Sequence, residues 1–156
     1  MSVLNGLFNI GVCLKDKGDT NKAIAYLEKA LQLTVKVFGK NHINVSDTLF
    51  HLGLALKDVR DFDKSKSIFE DSLKLLKETK NYENERSLYI LDQLGDLEME
   101  EERFVTAEYY LNEALCILIC IHRDGSEAEN IMFKLASLYL KHKNNNKVIT
   151  FFEITF

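Results

Sequence analysis

The chain has 156 residues, 46% of them hydrophobic and 28% charged, and twenty basic against twenty-four acidic side chains leave a formal net charge of −4. That length suffices to bury a core without disulfides, and the composition is that of an ordinary water-soluble protein, neither disordered nor membrane-spanning. The acidic balance argues against a nucleic-acid partner, the longest apolar run, Leu115 to Ile121, is too short to cross a bilayer, and Met1 is not followed by a basic-then-apolar leader.

Proline is absent and glycine occurs seven times, which suits long helices joined by short turns. The first predicted helix, roughly residues 2–16, sets Leu7, Ile10-Gly11 and Leu14 on one face. Gly18-Asp19-Thr20 ends it and offers a capping side chain to a second, at about 20–38, which carries Ala23, Leu27 and Ala30. Gly39 can stop that helix in a left-handed conformation, and Asn44 can cap a third at about 45–59, with Leu49, Leu52-Gly53 and Leu56. Asp61 repeats the place of Asp19 ahead of a fourth helix, about 62–79, containing Phe62, Ser65, Phe69 and Ser72. The fifth, about 84–101, holds Leu91 and Leu94-Gly95 but puts Glu98 where Leu14 and Leu56 stand. The sixth, about 103–122, carries Phe104, Ala107, Leu111 and Ala114; the seventh, about 127–142, carries Met132, Leu135-Ala136 and Tyr139; an eighth spans about 145–156.

Gly11, Gly53 and Gly95 are spaced at 42 residues and again 42, and Leu135-Ala136 follows as a fourth copy 41 residues on. A small residue in the first helix of each period faces small residues in the second, which lets the two approach closely while large residues fill the flanks. The period therefore encodes a helical hairpin. A lone hairpin cannot bury its apolar face, so the hairpins are expected to stack.

These residues resemble the tetratricopeptide repeat (TPR): a large residue, then Leu-Gly, a later aromatic or Leu, and two small positions in the second helix. The 42-residue period, with Ala30-Leu31, the run Val37 to His42, and Val45 to Leu56, is similar to the repeats of kinesin light chains, although Ile43 stands where those usually have proline. The resemblance implies an all-α, right-handed superhelix of four repeats, at about 1–42, 43–84, 85–126 and 127–156, forming one domain within a longer array. It also implies a cytoplasmic adaptor that binds a protein or peptide in a concave groove and has neither enzymatic activity nor a cofactor. The alternative is a self-association or regulatory segment of a larger protein.

In that family the first helix of each repeat lines the groove. Carried onto this sequence, the groove positions are Phe8, Val12 and Lys15; Phe50, Leu54 and Lys57; Tyr89, Asp92 and Asp96; and Phe133 and Ser137. Three phenylalanines at equivalent places would make an aromatic track for apolar anchors, or else pack between repeats as core. Asp92, Asp96, Glu98, Glu100, Glu101 and Glu102 read either as a dock for a basic segment or as a solvated helix end. The Lys and Asn with which other TPR domains clamp a terminal carboxylate are replaced here by Phe8 and Val12.

Three cysteines, Cys13, Cys116 and Cys120, are too few and too odd for a disulfide framework and suit a reducing compartment. Cys116, Cys120 and His122 do not converge on a metal at ~100° per helical residue, and buried structural cysteines are expected. His42, His51 and His142 read as surface or turn residues. Glu98 and Glu102 read as exposed acids one turn apart, and no phosphate loop, dinucleotide fingerprint, nucleophile elbow or zinc helix is present. At the C-terminal end Val148, Ile149, Phe151, Phe152, Ile154 and Phe156 are apolar on more than one face, which suggests a homodimer contact there or a continuing array.

Overall fold

The computed structural model describes residues 3–121 and 125–141. Among them it shows seven α-helices and no strand: α1 (Val3–Asp16), α2 (Thr20–Phe38), α3 (Ile43–Asp58), α4 (Phe62–Glu78), α5 (Glu85–Glu100), α6 (Phe104–Cys120) and α7 (Gly125–Lys141). Each lies within a few residues of its expected span; the eighth expected helix, with His122 and His142, falls outside the described residues. The chain divides into two compact units, Met1–Tyr82 and Glu83–Phe156.

In the first unit α1 packs on α2 and α3 on α4, while α2 and α1 both meet α3. The two hairpins are built alike because their glycines do one job. A Cβ on Gly11 would lie 2.8 Å from Cγ of Leu27, and one on Gly53 would lie 2.6 Å from the Phe69 ring. Each glycine thus gives up a side chain so that the large residue sixteen positions on can seat against bare backbone. Ser65 adds a tie across the second hairpin, donating its hydroxyl to the Gly53 carbonyl at 2.8 Å. Ser72 donates to the Ser46 carbonyl at 3.1 Å, and the two hydroxyls are 2.8 Å apart. Leu27, Leu52, Ala55 and Leu56 form the buried centre between the hairpins.

The turns share a backbone template. Gly18 and Arg60, 42 residues apart, both adopt positive φ (84° and 63°), and Asp19 and Asp61 follow at φ −86° and −83°. Sequence reading gives these aspartates a capping role, and the backbone N–H of Lys22 or Lys64, after that lysine's own ammonium, does help to lower each carboxyl's pKa, but neither side chain completes a cap hydrogen bond. Each instead accepts from the lysine one turn on: Lys22 lies 2.6 Å from Asp19 and Lys64 2.7 Å from Asp61. The lysine hydrogen bond holds each carboxyl below the usual range. A second correction concerns α3, which starts earlier than expected. Its N-cap is His42, whose Nδ1 accepts from the Asn44 N–H at 3.2 Å, so Asn44 lies inside the helix rather than capping it.

In the second unit α5 packs on α6, and α7 lies against α6. Gly95 repeats the arrangement of Gly11 and Gly53, with its would-be Cβ 2.7 Å from Leu111. Glu102 takes the positive φ (58°) of Gly18 and Arg60, and Arg103 follows at φ −86°. The core joins Leu88, Leu91 and Leu94 of α5, Leu111 and Leu118 of α6, and Ile131, Leu135 and Leu138 of α7. Between the helices of this hairpin the expectation of an exposed acid fails: Glu98 is 0% exposed. It occupies the slot of a core side chain, and the fold seats it there because Arg103 supplies the opposite charge. The cysteine expectation fails too, since Cys13, Cys116 and Cys120 are all exposed. On α6 the inward face is already filled by Ala107, Leu111, Ala114 and Leu118, which leaves Cys116 and Cys120 pointing outward.

Candidate functional site

The inferred groove residues lie on the leading helices α1, α3, α5 and α7. In the first unit Phe8 and Val12 project from α1 and pack, half-buried, against the cluster of Leu27, Leu52, Ala55 and Leu56. The Phe8 ring meets the His51 ring edge-on at 5.1 Å. His51 also meets Phe50 at 5.4 Å, so this histidine is wedged between two phenylalanines rather than standing on the surface. Phe50 itself is only 8% exposed and sits 6.1 Å from Phe69, so it leaves the expected exposed track and joins the core. Leu54 and Lys57 are partly exposed beside it. Lys15 is paired with Asp16 at 3.1 Å.

A cleft of about 200 Å³ opens at the N-terminal ends of α1 and α3, lined by Leu4, Asn5, Phe8, Thr34, Asn44, Asp47 and Thr48. Of these, sequence reading placed only Phe8 in the groove. Asn5 and Asp47 each stand three residues before a named phenylalanine, one helical turn toward the N-terminus on the same face, and that spacing was the available signal. The cleft combines an aromatic wall with two amides, two hydroxyls and a carboxylate, which suits a polypeptide segment carrying both apolar and hydrogen-bonding groups.

In the second unit the named acids have a neighbour that sequence reading missed. Lys134 of α7 donates to Asp92 at 2.6 Å and lies 2.7 Å from Asp96. Burial alone would push the lysine's pKa down, but the two carboxylates outweigh it and hold the ammonium above its usual value. Asp92 and Asp96 therefore bind α5 to α7. With Glu98 buried as well, the expected acidic patch is largely committed to internal pairs. Tyr89 is exposed on α5, its hydroxyl donating to Glu127 at 3.4 Å. Phe133 is 73% exposed on α7, one turn from the half-exposed Ser137, although Ile131, Leu135 and Leu138 of that helix are buried.

The same joint appears in both units. Phe8 and Asp92 each sit two residues before the apolar member of their repeat's central pair, and His51 and Lys134 each sit one before theirs. The first pair makes an aromatic contact between leading helices and the second an ionic one. Among the described residues no group of three or more His, Cys, Asp or Glu is placed to hold a metal, and no helix is long and apolar enough to cross a membrane.

The sequence model for the tetratricopeptide repeat matches residues 2–78. No curated protein matches the sequence. Among solved structures, BtubC (BKLC) from P. vanneervenii is similar at a TM-score of 0.86 and 16% identity, covering 95% of this chain and 59% of that one. A putative kinesin light chain of Podosopora anserina, with nearly identical TPR-like repeats, gives 0.81 at 14% identity, covering 96% and 72%. RapI in its apo form gives 0.83 at 18% identity, covering 96% and 53%. The chain thus spans about three fifths of the first of these, and at such identities the likeness concerns the fold.

Proposed function

Because residues 2–78 are tetratricopeptide repeats and the described remainder continues the same all-α repeat fold, we propose that the protein is a binding scaffold whose leading helices hold a segment of another protein. Such repeats generally mediate protein–protein interaction. The observation that carries the reading here is Phe133, a large apolar side chain left 73% exposed at a position equivalent to Phe8. Burying it on a partner would contribute roughly 1.5–3 kcal/mol, the value of a fully buried large apolar side chain. Phe8, Val12 and Leu54, beside the cleft at Asn5 and Asp47, offer a comparable face on the first unit.

The ligand is a helical or extended peptide with apolar anchors. Its recognition rests on those anchors more than on a basic flank, since Asp92 and Asp96 are already held by Lys134. The scaffold reading requires no catalysis.

Peptides selected from a random displayed library on the immobilised full chain provide the ligand for a test by fluorescence anisotropy. Phe133→Glu and Val12→Glu are each expected to weaken a selected peptide at least tenfold with helicity unchanged. Undiminished affinity in both variants refutes the assignment of the leading helices as the binding face.

A further inference from the structure

The polar groups of the cleft between α1 and α3 are biased toward accepting hydrogen bonds. Thr34 and Thr48 are buried, and each commits its one hydroxyl proton within its own helix: Thr34 donates to the Ala30 carbonyl at 2.7 Å and Thr48 to the Asn44 carbonyl at 2.9 Å. A hydroxyl so committed has only lone pairs to offer a visitor. Asp47 adds a carboxylate, which has no proton to give and about four lone-pair sites, so it can take a visitor's donor beside any it already holds. Asn5 and Asn44 can each turn an amide oxygen inward. No basic side chain is among the described residues that line the cleft, while Leu4 and Phe8 give it apolar walls. The positive end of the α3 dipole opposes a cation here, but it fades within the first turn. Two of the N–H groups of that turn are already taken, Asn44 by Nδ1 of His42 at 3.2 Å and Val45 by the His42 carbonyl at 2.9 Å.

We infer that this cleft receives one basic side chain, an arginine, of the segment held by the scaffold proposed above, and the inference rests on that reading. The volume of about 200 Å³ equals about seven waters at ~30 Å³ each, which is room for a single long side chain. A guanidinium brings five N–H donors in one plane and no acceptor. Its face can lie on the Phe8 ring and its stem along Leu4 while its edge donates to Asp47 and the threonine oxygens. A glutamate entering the same space would set like charge against Asp47 and acceptor against acceptor. An apolar side chain would strip water from those oxygens and return no hydrogen bond. A neutral amide could make one such bond, but only a cation also answers the charge of the carboxylate.

Acetyl-arginine N-methylamide, titrated into the isotope-labelled full chain and followed by NMR, is expected to shift the backbone amides of Asn5, Asp47 and Thr48 in a saturable manner. The norleucine and glutamate counterparts, of similar reach, should leave those amides in place. Asp47→Asn should weaken the arginine probe at least fivefold. Asn5→Asp, which adds a second carboxylate at an exposed position, should tighten it at least threefold, a gain that misfolding cannot imitate. The inference is overturned if arginine causes no shift at the cleft, if norleucine or glutamate binds there as strongly, or if both variants bind arginine with unaltered affinity. The two readings fail separately. Arginine bound at the cleft, with selected peptides indifferent to Phe133→Glu and Val12→Glu, sinks the leading-helix binding face alone; peptides weakened by those variants, with no arginine shift, sink the present inference alone.

Discussion

Arg103 reaches back across its turn to place Nε 2.6 Å from Oε2 of Glu98, a carboxylate with no exposure to solvent. It also bonds Glu101. Both members depart from their repeat neighbours: Glu98 stands where Leu14, Leu56 and Tyr139 stand, and Arg103 where Asp19 and Asp61 stand. Two substitutions of opposite charge have thus entered one hairpin and met at the edge of its core, the acid buried and the guanidinium half-exposed. Arg103→Ala leaves the acid buried without its cation; because the guanidinium is itself 43% exposed, the expected loss is about 1–3 kcal/mol, less than for a fully buried pair, by urea denaturation at unchanged m-value. Restoring the pattern of the other repeats with Glu98→Leu and Arg103→Asp together should be neutral or stabilising by ~1–4 kcal/mol.

Gly53 and Gly6 should respond oppositely to one methyl group. Both are helical, and replacing glycine by alanine in an open helix gains ~1 kcal/mol. A Cβ on Gly6 meets nothing within 4 Å, so Gly6→Ala is expected to raise the melting temperature. A Cβ on Gly53 falls 2.6 Å from the buried ring of Phe69, which has nowhere to swing. Gly53→Ala should therefore cost ~1–3 kcal/mol from overpacking. Equal melting temperatures for the two variants would show that the hairpin is looser than described.

The bridge from Lys134 to Asp92 and Asp96 predicts an alkaline limit. The lysine's folded pKa is raised above the ordinary value of a free lysine. Its contribution is consequently whole below that value and is lost as pH climbs through the folded pKa. Tyr139 titrates with the same sign: burial and the nearby Glu108 carboxylate push it to about 12. The comparison therefore belongs in a Tyr139→Phe background. There, the difference in melting temperature between Lys134 and Lys134→Met should be largest near neutral pH and vanish at strongly alkaline pH; a difference constant with pH would contradict the ion bridge.

Helix starts offer a finer test. Asn84 caps α5, its Oδ1 accepting from the Ser87 N–H at 2.9 Å, whereas the corresponding duty at α3 falls to His42 and not to Asn44. Asn84→Ala is expected to cost ~1 kcal/mol, and Asn44→Ala well under half of that.

Much of the fold was legible in the sequence because the 42-residue spacing of Gly11, Gly53 and Gly95 reports a steric requirement that only a tight helix pair imposes. Lys134 was not, because a cation between two periodic apolar residues looks like any solvated position until two leading helices are brought together. Glu98 reads as atypical in its repeat, but its own helix does not tell a buried acid from a solvated one; the clue to its burial lies five residues on, at Arg103, where the other turns carry an acid. Phe50 illustrates a different limit. Its repeat position is that of Phe8 and Phe133, yet the three differ widely in exposure, since a helix face one residue wide is shared by groove and core.

The paired departure at Glu98 and Arg103 also says what can be exchanged between repeats. Grafting α5 alone into either neighbouring hairpin would carry an acid into a core whose turn offers another acid, Asp19 or Asp61. Moving α5 with its turn would keep the cation beside it. The smallest piece of this chain that can be duplicated or swapped intact is accordingly the helix together with its following turn, and a repeat library cut between Glu98 and Arg103 should yield insoluble recombinants.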